Sequence, residues 1–211
     1  MTTQFVLNDL DLAALISSRI CHDIISPVGA ISNGLEVLDE EDDEEVRAYA
    51  MDLIRKSTEQ ASAKLQFARL AFGAGGSAGT EIEIKTIKTV ASGIVDPDKH
   101  RIIWQGNVTK MPKNRVKILL NLIAIAITVL PRGGDMTIVM QGDSTAPVFY
   151  IACEGVGGRV PEKVAMVFSG RAQEPLDTMS IQPFYACMLA ETCSMKLNIE
   201  KKGSVVTIFA S

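Results

Sequence analysis

His22 is the residue whose surroundings suggest chemistry most strongly in this chain of 211 residues. It is followed by an acid, Asp23, then by two aliphatic residues and the pair Ser26-Pro27. Near pH 7 an imidazole is largely neutral and nucleophilic, and one ring nitrogen is bare while the other holds the proton. Asp23 can accept a hydrogen bond from Nδ1–H and leave Nε2 free to attack. The alternatives are a structural histidine on a helix face and a solvated surface acid.

Arg19 lies one helical turn before His22. Residues three or four positions apart are neighbours on a helix surface, so this guanidinium would lie near the imidazole. It would offset the charge of a phosphate or another anion there. An ordinary surface arginine is the open alternative.

The elements that must position these residues are two long helices. Apolar residues recur at helical spacing over residues 10–38, and Pro27 inside this run predicts a bend rather than an end. A second helix is predicted over residues 44–72. Between them lies the acidic run 39–45, predicted to be a solvated turn that favours the start of the next helix, with a patch for a basic partner as the alternative.

Two helices alone cannot bury both of their apolar faces. The simplest stable arrangement is a four-helix bundle made by two chains, so the sequence predicts a homodimer. The alternative is that the hairpin packs on the second domain of its own chain.

The predicted domain organisation is a helical hairpin over residues 1–74, a glycine-rich linker over 75–80 and an α/β domain over 81–211. The fold class is therefore α+β. Within the second domain the pattern predicts a strand or helix start at 82–88, strands at 101–105, 136–141 and 148–153, helices at 113–130, 160–168 and 183–193, and a hairpin of 195–201 with 205–210.

Composition excludes several classes of protein. The net charge of -4 argues against general binding to nucleic acid or to an anionic membrane. The most apolar run, residues 118–130, is shorter than the about 20 residues that cross a bilayer as a helix. The N-terminus lacks the basic region of a signal peptide, and the four cysteines show no CxxC or zinc spacing. These features predict a cytoplasmic protein.

The segment around His22 resembles the H-box of two-component histidine kinases, in which the imidazole carries a phosphoryl group. The match includes His22, Asp23, Ser26 and Pro27. The order of hairpin, linker and α/β sandwich is also similar to the core of these kinases, so the resemblance covers nearly the whole chain. It implies a dimerisation and histidine-phosphotransfer hairpin that forms a four-helix bundle, followed by an ATP-binding domain of the Bergerat fold.

The nucleotide-binding motifs of that family are degenerate here. Residues 115–126 resemble the N-box helix, but the asparagine that coordinates Mg²⁺ in the family is replaced by Ile125, and only the upstream Asn121 is kept. An aliphatic side chain cannot ligate a hard cation, which requires oxygen.

Two further motifs depart from the pattern. Residues 151–161 resemble the G1 box, yet the adenine-reading aspartate falls at Gly155, or at best at the displaced Glu154, and the second glycine is Arg159. Residues 180–185 replace the glycine-rich phosphate loop and contain no glycine that would let backbone amides approach a triphosphate. We expect no use of ATP.

An intact H-box with a degenerate ATP site resembles the ChpT-type histidine phosphotransferases of alphaproteobacteria. This resemblance implies that His22 accepts phosphate from the receiver domain of a CckA-like hybrid kinase and passes it to CtrA-like and CpdR-like response regulators in a cell-cycle relay. The chain would need no cofactor of its own, and Mg²⁺ would be bound by the partner receiver. Two alternatives are a non-catalytic dimeric scaffold or pathway inhibitor, and an active histidine kinase with a divergent ATP site.

Overall fold

The chain folds into two long helices followed by a mixed α/β unit. The computed structural model describes residues 7–73, 80–142, 147–171 and 176–211. Apart from Thr80, the predicted linker 75–80 lies outside the described residues. None of the described helices is long and apolar enough to cross a membrane.

The two long helices are α1, Asp9–Glu40, and α2, Glu44–Ala71. Each begins at a capping residue, Asn8 for α1 and Asp43 for α2. Their side chains accept hydrogen bonds from backbone N–H groups of the first turn, which otherwise lack partners. Local sequence therefore sets where both helices start.

The connection between these helices, residues 41–43, is the middle of the acidic run 39–45, whose residues are all exposed. Arg47 from the first turn of α2 donates hydrogen bonds to the carbonyl oxygens of Leu38 and Glu41, the latter at 2.8 Å. These bonds satisfy carbonyls at the end of α1 that have no partner within the helix.

Close packing of the hairpin depends on a glycine. A Cβ at Gly34 of α1 would lie 2.7 Å from Ile54 Cγ1 and 3.3 Å from the Ala50 carbonyl oxygen on α2. The absent side chain therefore lets the two helix backbones approach each other. Helix α1 also continues through Pro27, which is buried, so the proline does not end the helix.

The second unit contains four helices and seven strands among its described residues. In chain order they are β1 (Glu81–Glu83), α3 (Ile84–Gly93), β2 (His100–Gln105), β3 (Lys110–Pro112), α4 (Lys113–Val129), β4 (Gly134–Gln141), β5 (Val148–Glu154), α5 (Glu162–Phe168), α6 (Ile181–Thr192), β6 (Leu197–Lys202) and β7 (Val205–Ala210). A five-stranded sheet has the order β2-β4-β5-β7-β6, in which only β2 and β4 are parallel.

The core lies between one face of this sheet and helices α4 and α6. Alternate residues of β4, β5 and β7 point into it, and α4 is apolar over most of its surface, so it is buried. Fully buried side chains in this core include Leu119, Leu122, Ile123, Met136, Ile138 and Ile151.

Two details differ from the sequence prediction. Strands β1 and β3 pair as a separate antiparallel ribbon, which was not predicted because three residues are too few to show a period of two. Helix α6 begins at Ile181, before the predicted start at Pro183. A proline is tolerated in a first turn because its missing N–H would have no acceptor within the helix.

The hairpin packs on the second unit over only part of its length. Phe67 and Ala71 of α2 are buried in the core of that unit, and the Phe72 ring lies 5.5 Å from the ring of Tyr185 on α6. Elsewhere on the hairpin several large apolar side chains remain exposed. They are Leu10, Ile25, Val28, Leu35, Val46, Tyr49, Met51 and Leu65. Packing within the chain thus leaves much of the hairpin's apolar surface uncovered.

Candidate functional site

His22 lies on the exposed side of α1, opposite the half-buried and buried positions that face α2 and the second unit. Its side chain is 67% exposed. The neighbouring Ile20 and Ile24 are half-buried, and Pro27 one turn further is buried. The helix is therefore held on one side and presents the imidazole to solvent on the other.

Asp23 contacts both of the other predicted site residues. Its Oδ1 lies 3.5 Å from His22 Nδ1, which is longer than a good hydrogen bond. Its Oδ2 accepts a hydrogen bond from Arg19 Nε at 3.0 Å. The carboxylate thus lies on the Nδ1 side of the imidazole, and the structure brings all three predicted residues together.

Arg19 also joins the hairpin to the second unit. Its Nη1 donates to the carbonyl oxygen of Thr178 at 3.2 Å and lies 3.5 Å from Met179 Sδ. The side chain is only 16% exposed. Arg19 therefore bridges the carboxylate of Asp23 and the turn that precedes α6.

That turn is held in place by Asp177. The Asp177 Oδ1 accepts hydrogen bonds from the backbone N–H groups of Met179, at 3.1 Å, and Ser180, at 2.9 Å, and from Ser180 Oγ at 2.7 Å. The other oxygen pairs with Lys163. These bonds, chiefly those from Lys163 and Ser180, hold the pKa of Asp177 well below its usual range, so the carboxylate stays ionised.

Lys64 of α2 completes the surroundings of Asp23. Within an α-helix the N–H of residue 27 would donate to the carbonyl of residue 23, but Pro27 has no N–H. The Asp23 carbonyl oxygen instead accepts a hydrogen bond from Lys64 Nζ at 2.8 Å. The proline thus frees a carbonyl beside His22, and a cation from the facing helix binds it.

A cleft of about 180 Å³ lies between the hairpin and the second unit, behind these residues. Arg19, Asp23 and Lys64 line it together with apolar side chains such as Phe67 and Ile127. Its volume is below the about 300–1,000 Å³ of typical ligand pockets. Both cations in its wall are already bonded to protein atoms, Arg19 to the carboxylate of Asp23 and Lys64 to its backbone carbonyl.

The positions that resemble a nucleotide site are filled by the protein's own contacts. Ile125 is 2% exposed within the core. Asn121 is fully buried, its amide donates to the carbonyl of Lys117 at 2.8 Å, and its Oδ1 accepts from Gln182 at 3.3 Å. A Cβ at Gly155 would collide with the carbonyl oxygen of Gly133. An aspartate at that position would not fit the backbone as it stands.

Over the described ranges, no group of three or more His, Cys, Asp or Glu side chains is arranged to hold a metal ion. The expectation that Mg²⁺ is supplied by a partner stays a prediction.

Lys64, Thr178 and Met179 were not predicted to belong to the site. The proline indicates from sequence that the carbonyl of Asp23 loses its helical partner, but it does not say which side chain replaces that partner. Residues 178 and 179 lie far along the chain from Arg19, and only the packing of the two units brings them together.

Residues 84–205 match the model of the protein family described as the histidine phosphotransferase C-terminal domain. The match includes all of α3 to α6 and ends within β7. It covers more than half of the chain.

Individual relatives extend this similarity to the whole chain. A protein of Brucella abortus (strain 2308) named "Protein phosphotransferase ChpT" is 47% identical over 211 residues, which is 100% of both chains. A solved structure described as a bacterial phosphotransferase is 44% identical, covers 99% of both chains and superposes with a TM-score of 0.89.

A more distant similarity concerns the fold alone. The histidine kinase ThkA, solved in complex with the response regulator protein TrrA, has a TM-score of 0.50 at 15% identity and covers 95% of this chain and 62% of its own. The hairpin followed by an α/β sandwich is thus an arrangement that this chain shares with a histidine kinase.

Proposed function

The chain belongs to the histidine phosphotransferase family and is of the ChpT type, and from this premise we propose that it relays phosphoryl groups through His22. The observation that carries this proposal is the imidazole of His22, two-thirds exposed on a helical hairpin with the carboxylate of Asp23 on its Nδ1 side. An exposed, oriented imidazole is what a receiver domain needs to reach.

The transfer itself needs little from this protein. Nε2 of His22 attacks the phosphorus of an aspartyl phosphate on the donor receiver, the P–O bond to the donor aspartate breaks, and that aspartate leaves as a carboxylate. Asp23 stabilises the Nδ1–H of the ring as the P–N bond forms. The receiver would hold Mg²⁺, whose charge would offset that of the phosphoryl oxygens. The reverse sequence passes the group to the aspartate of a second receiver.

The partners are proposed to be receiver domains of a CckA-like hybrid kinase and of CtrA-like and CpdR-like response regulators, in a cell-cycle relay in the cytoplasm. Support comes from the resemblance of the H-box and from the full-length similarity to a ChpT protein. Mg²⁺ then belongs to the partner, and this chain contributes no cofactor. The docking surface would include His22 and the exposed positions around it on the hairpin.

We propose that the second domain does not use ATP. Ile125 offers no oxygen for a cation, and the backbone at Gly155 leaves no space for an adenine-reading aspartate. If the chain is instead an active kinase, it will acquire label from ATP. If it is a scaffold that never carries phosphate, its function will not require His22.

The test is to incubate the purified protein with radiolabelled ATP alone, and separately with a receiver domain already carrying labelled phosphate. We expect label only from the receiver, and none on His22→Ala. His100→Ala is the matched control, because it removes the only other histidine of the chain. Label from ATP alone would contradict the proposal in favour of a kinase, and no label from any of several receivers would favour the scaffold.

A further inference from the structure

We propose that the second domain takes part in phosphotransfer by holding Arg19, which in turn fixes the carboxylate of Asp23 beside His22. Arg19 is then a positioning residue that acts through Asp23. This inference rests on the proposed role of His22 as phosphoryl acceptor. It gives the second domain, which we propose does not use ATP, a part in the reaction.

The first support is the geometry of the guanidinium. One nitrogen, Nε, donates to Asp23 Oδ2 at 3.0 Å, and another, Nη1, donates to the Thr178 carbonyl at 3.2 Å. The planar, rigid guanidinium presents several N–H groups at once in fixed directions. Arg19 can therefore hold a carboxylate of the hairpin and a carbonyl of the second unit at the same time.

The second support is that the turn is itself rigidly built. Asp177 binds two backbone N–H groups and the hydroxyl of Ser180, and it pairs with Lys163 of α5. Ser180 is buried, and its Oγ also accepts from the backbone N–H of Asp177 at 2.8 Å. The Thr178 carbonyl thus has a fixed direction before Arg19 reaches it.

Anchoring matters because a helical ion pair alone is weak. An exposed Arg–Asp pair four residues apart contributes little to stability, since both side chains must be ordered to form it. When the turn orders Arg19, the carboxylate of Asp23 is held with Oδ2 on the guanidinium and Oδ1 towards the imidazole. A misplacement of about 1 Å in a reacting group can slow a reaction by about a hundredfold.

Two other roles for these residues make different predictions. If Arg19 acts only by offsetting the charge of the phosphate, then Arg19→Lys keeps the charge and keeps the rate. If Met179 and its turn act only as a docking surface for the receiver, then altering them has no effect when the phosphate comes from a small molecule.

The experiment uses phosphoramidate, which phosphorylates histidine directly and releases ammonia, so that no receiver is needed. Phosphohistidine formed on the full chain is followed over time by ³¹P NMR for the unaltered protein, Arg19→Lys, Asp177→Ala and the double variant. Asp135→Ala is the matched control, because Asp135, like Asp177, is a second-domain aspartate in an ion pair, here with Arg101, but lies on β4. Far-UV circular dichroism and a thermal melt verify that each variant is folded.

We expect Arg19→Lys and Asp177→Ala each to slow phosphorylation about tenfold, the size expected for one lost charge-assisted hydrogen bond. The double variant should be no slower than Arg19→Lys alone, since both changes break the same connection. Asp135→Ala should match the unaltered protein.

A normal rate for Arg19→Lys would overturn the inference, and so would a normal rate for folded Asp177→Ala or fully multiplicative losses in the double variant. Failure of the proposed function gives a different result. In that case the unaltered protein acquires no phosphate on His22 from phosphoramidate or from any receiver. If Asp177→Ala does not fold, the rate of Arg19→Lys still shows whether Arg19 acts by joining Asp23 to the Thr178 carbonyl or only by its charge.

Discussion

At the scale of single residues, Asp23 connects three other residues of the candidate site. Its two carboxylate oxygens face His22 and Arg19, and its carbonyl oxygen accepts from Lys64. A neutral or longer replacement would change both carboxylate contacts at once, so Asp23 is better studied through its partners than by its own substitution.

The cysteines give a residue-scale prediction from burial and pKa. Cys21 is exposed next to His22, whereas burial raises the pKa of the Cys153 thiol and of the Cys187 thiol to about 12. Because the thiolate is the reactive form, we expect iodoacetamide at pH 8 to label Cys21 at least about a hundredfold faster than either of these. Mass spectrometry of tryptic peptides measures the rates.

In urea the thiols of Cys153 and Cys187 should react at the rate of Cys21, which is the control for intrinsic reactivity. Rapid labelling of Cys153 in the folded protein would show that the core opens easily, contrary to its full burial.

At the scale of elements, a polar contact joins α2 to the part of α1 that contains Pro27. The proline withdraws one N–H from the helix, and Lys64 supplies a donor from outside it. The hairpin is thus held at the level of His22 by a polar contact as well as by apolar packing.

This contact predicts coupling between two substitutions. Lys64→Met leaves the partly buried carbonyl of Asp23 unsatisfied, and we expect it to lower the free energy of unfolding by about 1–2 kcal/mol. In a Pro27→Ala background the new N–H can bond the same carbonyl, so the same substitution should cost much less. Urea unfolding of the four proteins gives both differences, and the double cycle cancels the effect of proline on the unfolded chain. Equal losses in the two backgrounds would rule out this account of the lysine.

At the scale of the whole molecule, the two units have different relations to the site. The hairpin contains His22, the proposed phosphoryl acceptor, with Arg19 and Asp23, and the second unit contributes the turn that contacts Arg19. Packing between the units covers one end of the hairpin and leaves side chains such as Val28, Leu35 and Tyr49 exposed. This surface is what the proposed dimer would bury in a four-helix bundle.

The dimer prediction is tested by mass in solution. We expect the protein to have twice its 22.8 kDa chain mass by sedimentation or light scattering at micromolar concentration. Leu35→Glu should shift it towards the monomer, because an unpaired charge would be buried in the bundle. Val156→Glu is the control, since Val156 is equally apolar and 73% exposed but lies in the second unit. A monomer for the unaltered protein would contradict the prediction.

The two long helices and the family could be predicted from the sequence, because both depend on local patterns of residues. Helical periodicity predicted both long helices to within a few residues, and the capping residues explain their starts. The H-box resemblance identified the family, which the full-length similarity to a ChpT protein confirms. The short ribbon of β1 and β3 was missed because its pairing is between segments that carry no periodic signal.

The sequence by itself determined the chemistry of the candidate site, since the identity and helical spacing of Arg19, His22 and Asp23 already place them as neighbours. Only the tertiary structure decided what holds them. Lys64 reaches the Asp23 carbonyl from another helix, and Thr178 is brought to Arg19 by the packing of the second unit. Such contacts join residues far apart in the chain, and no local propensity encodes them; they follow from which apolar faces the whole fold buries together.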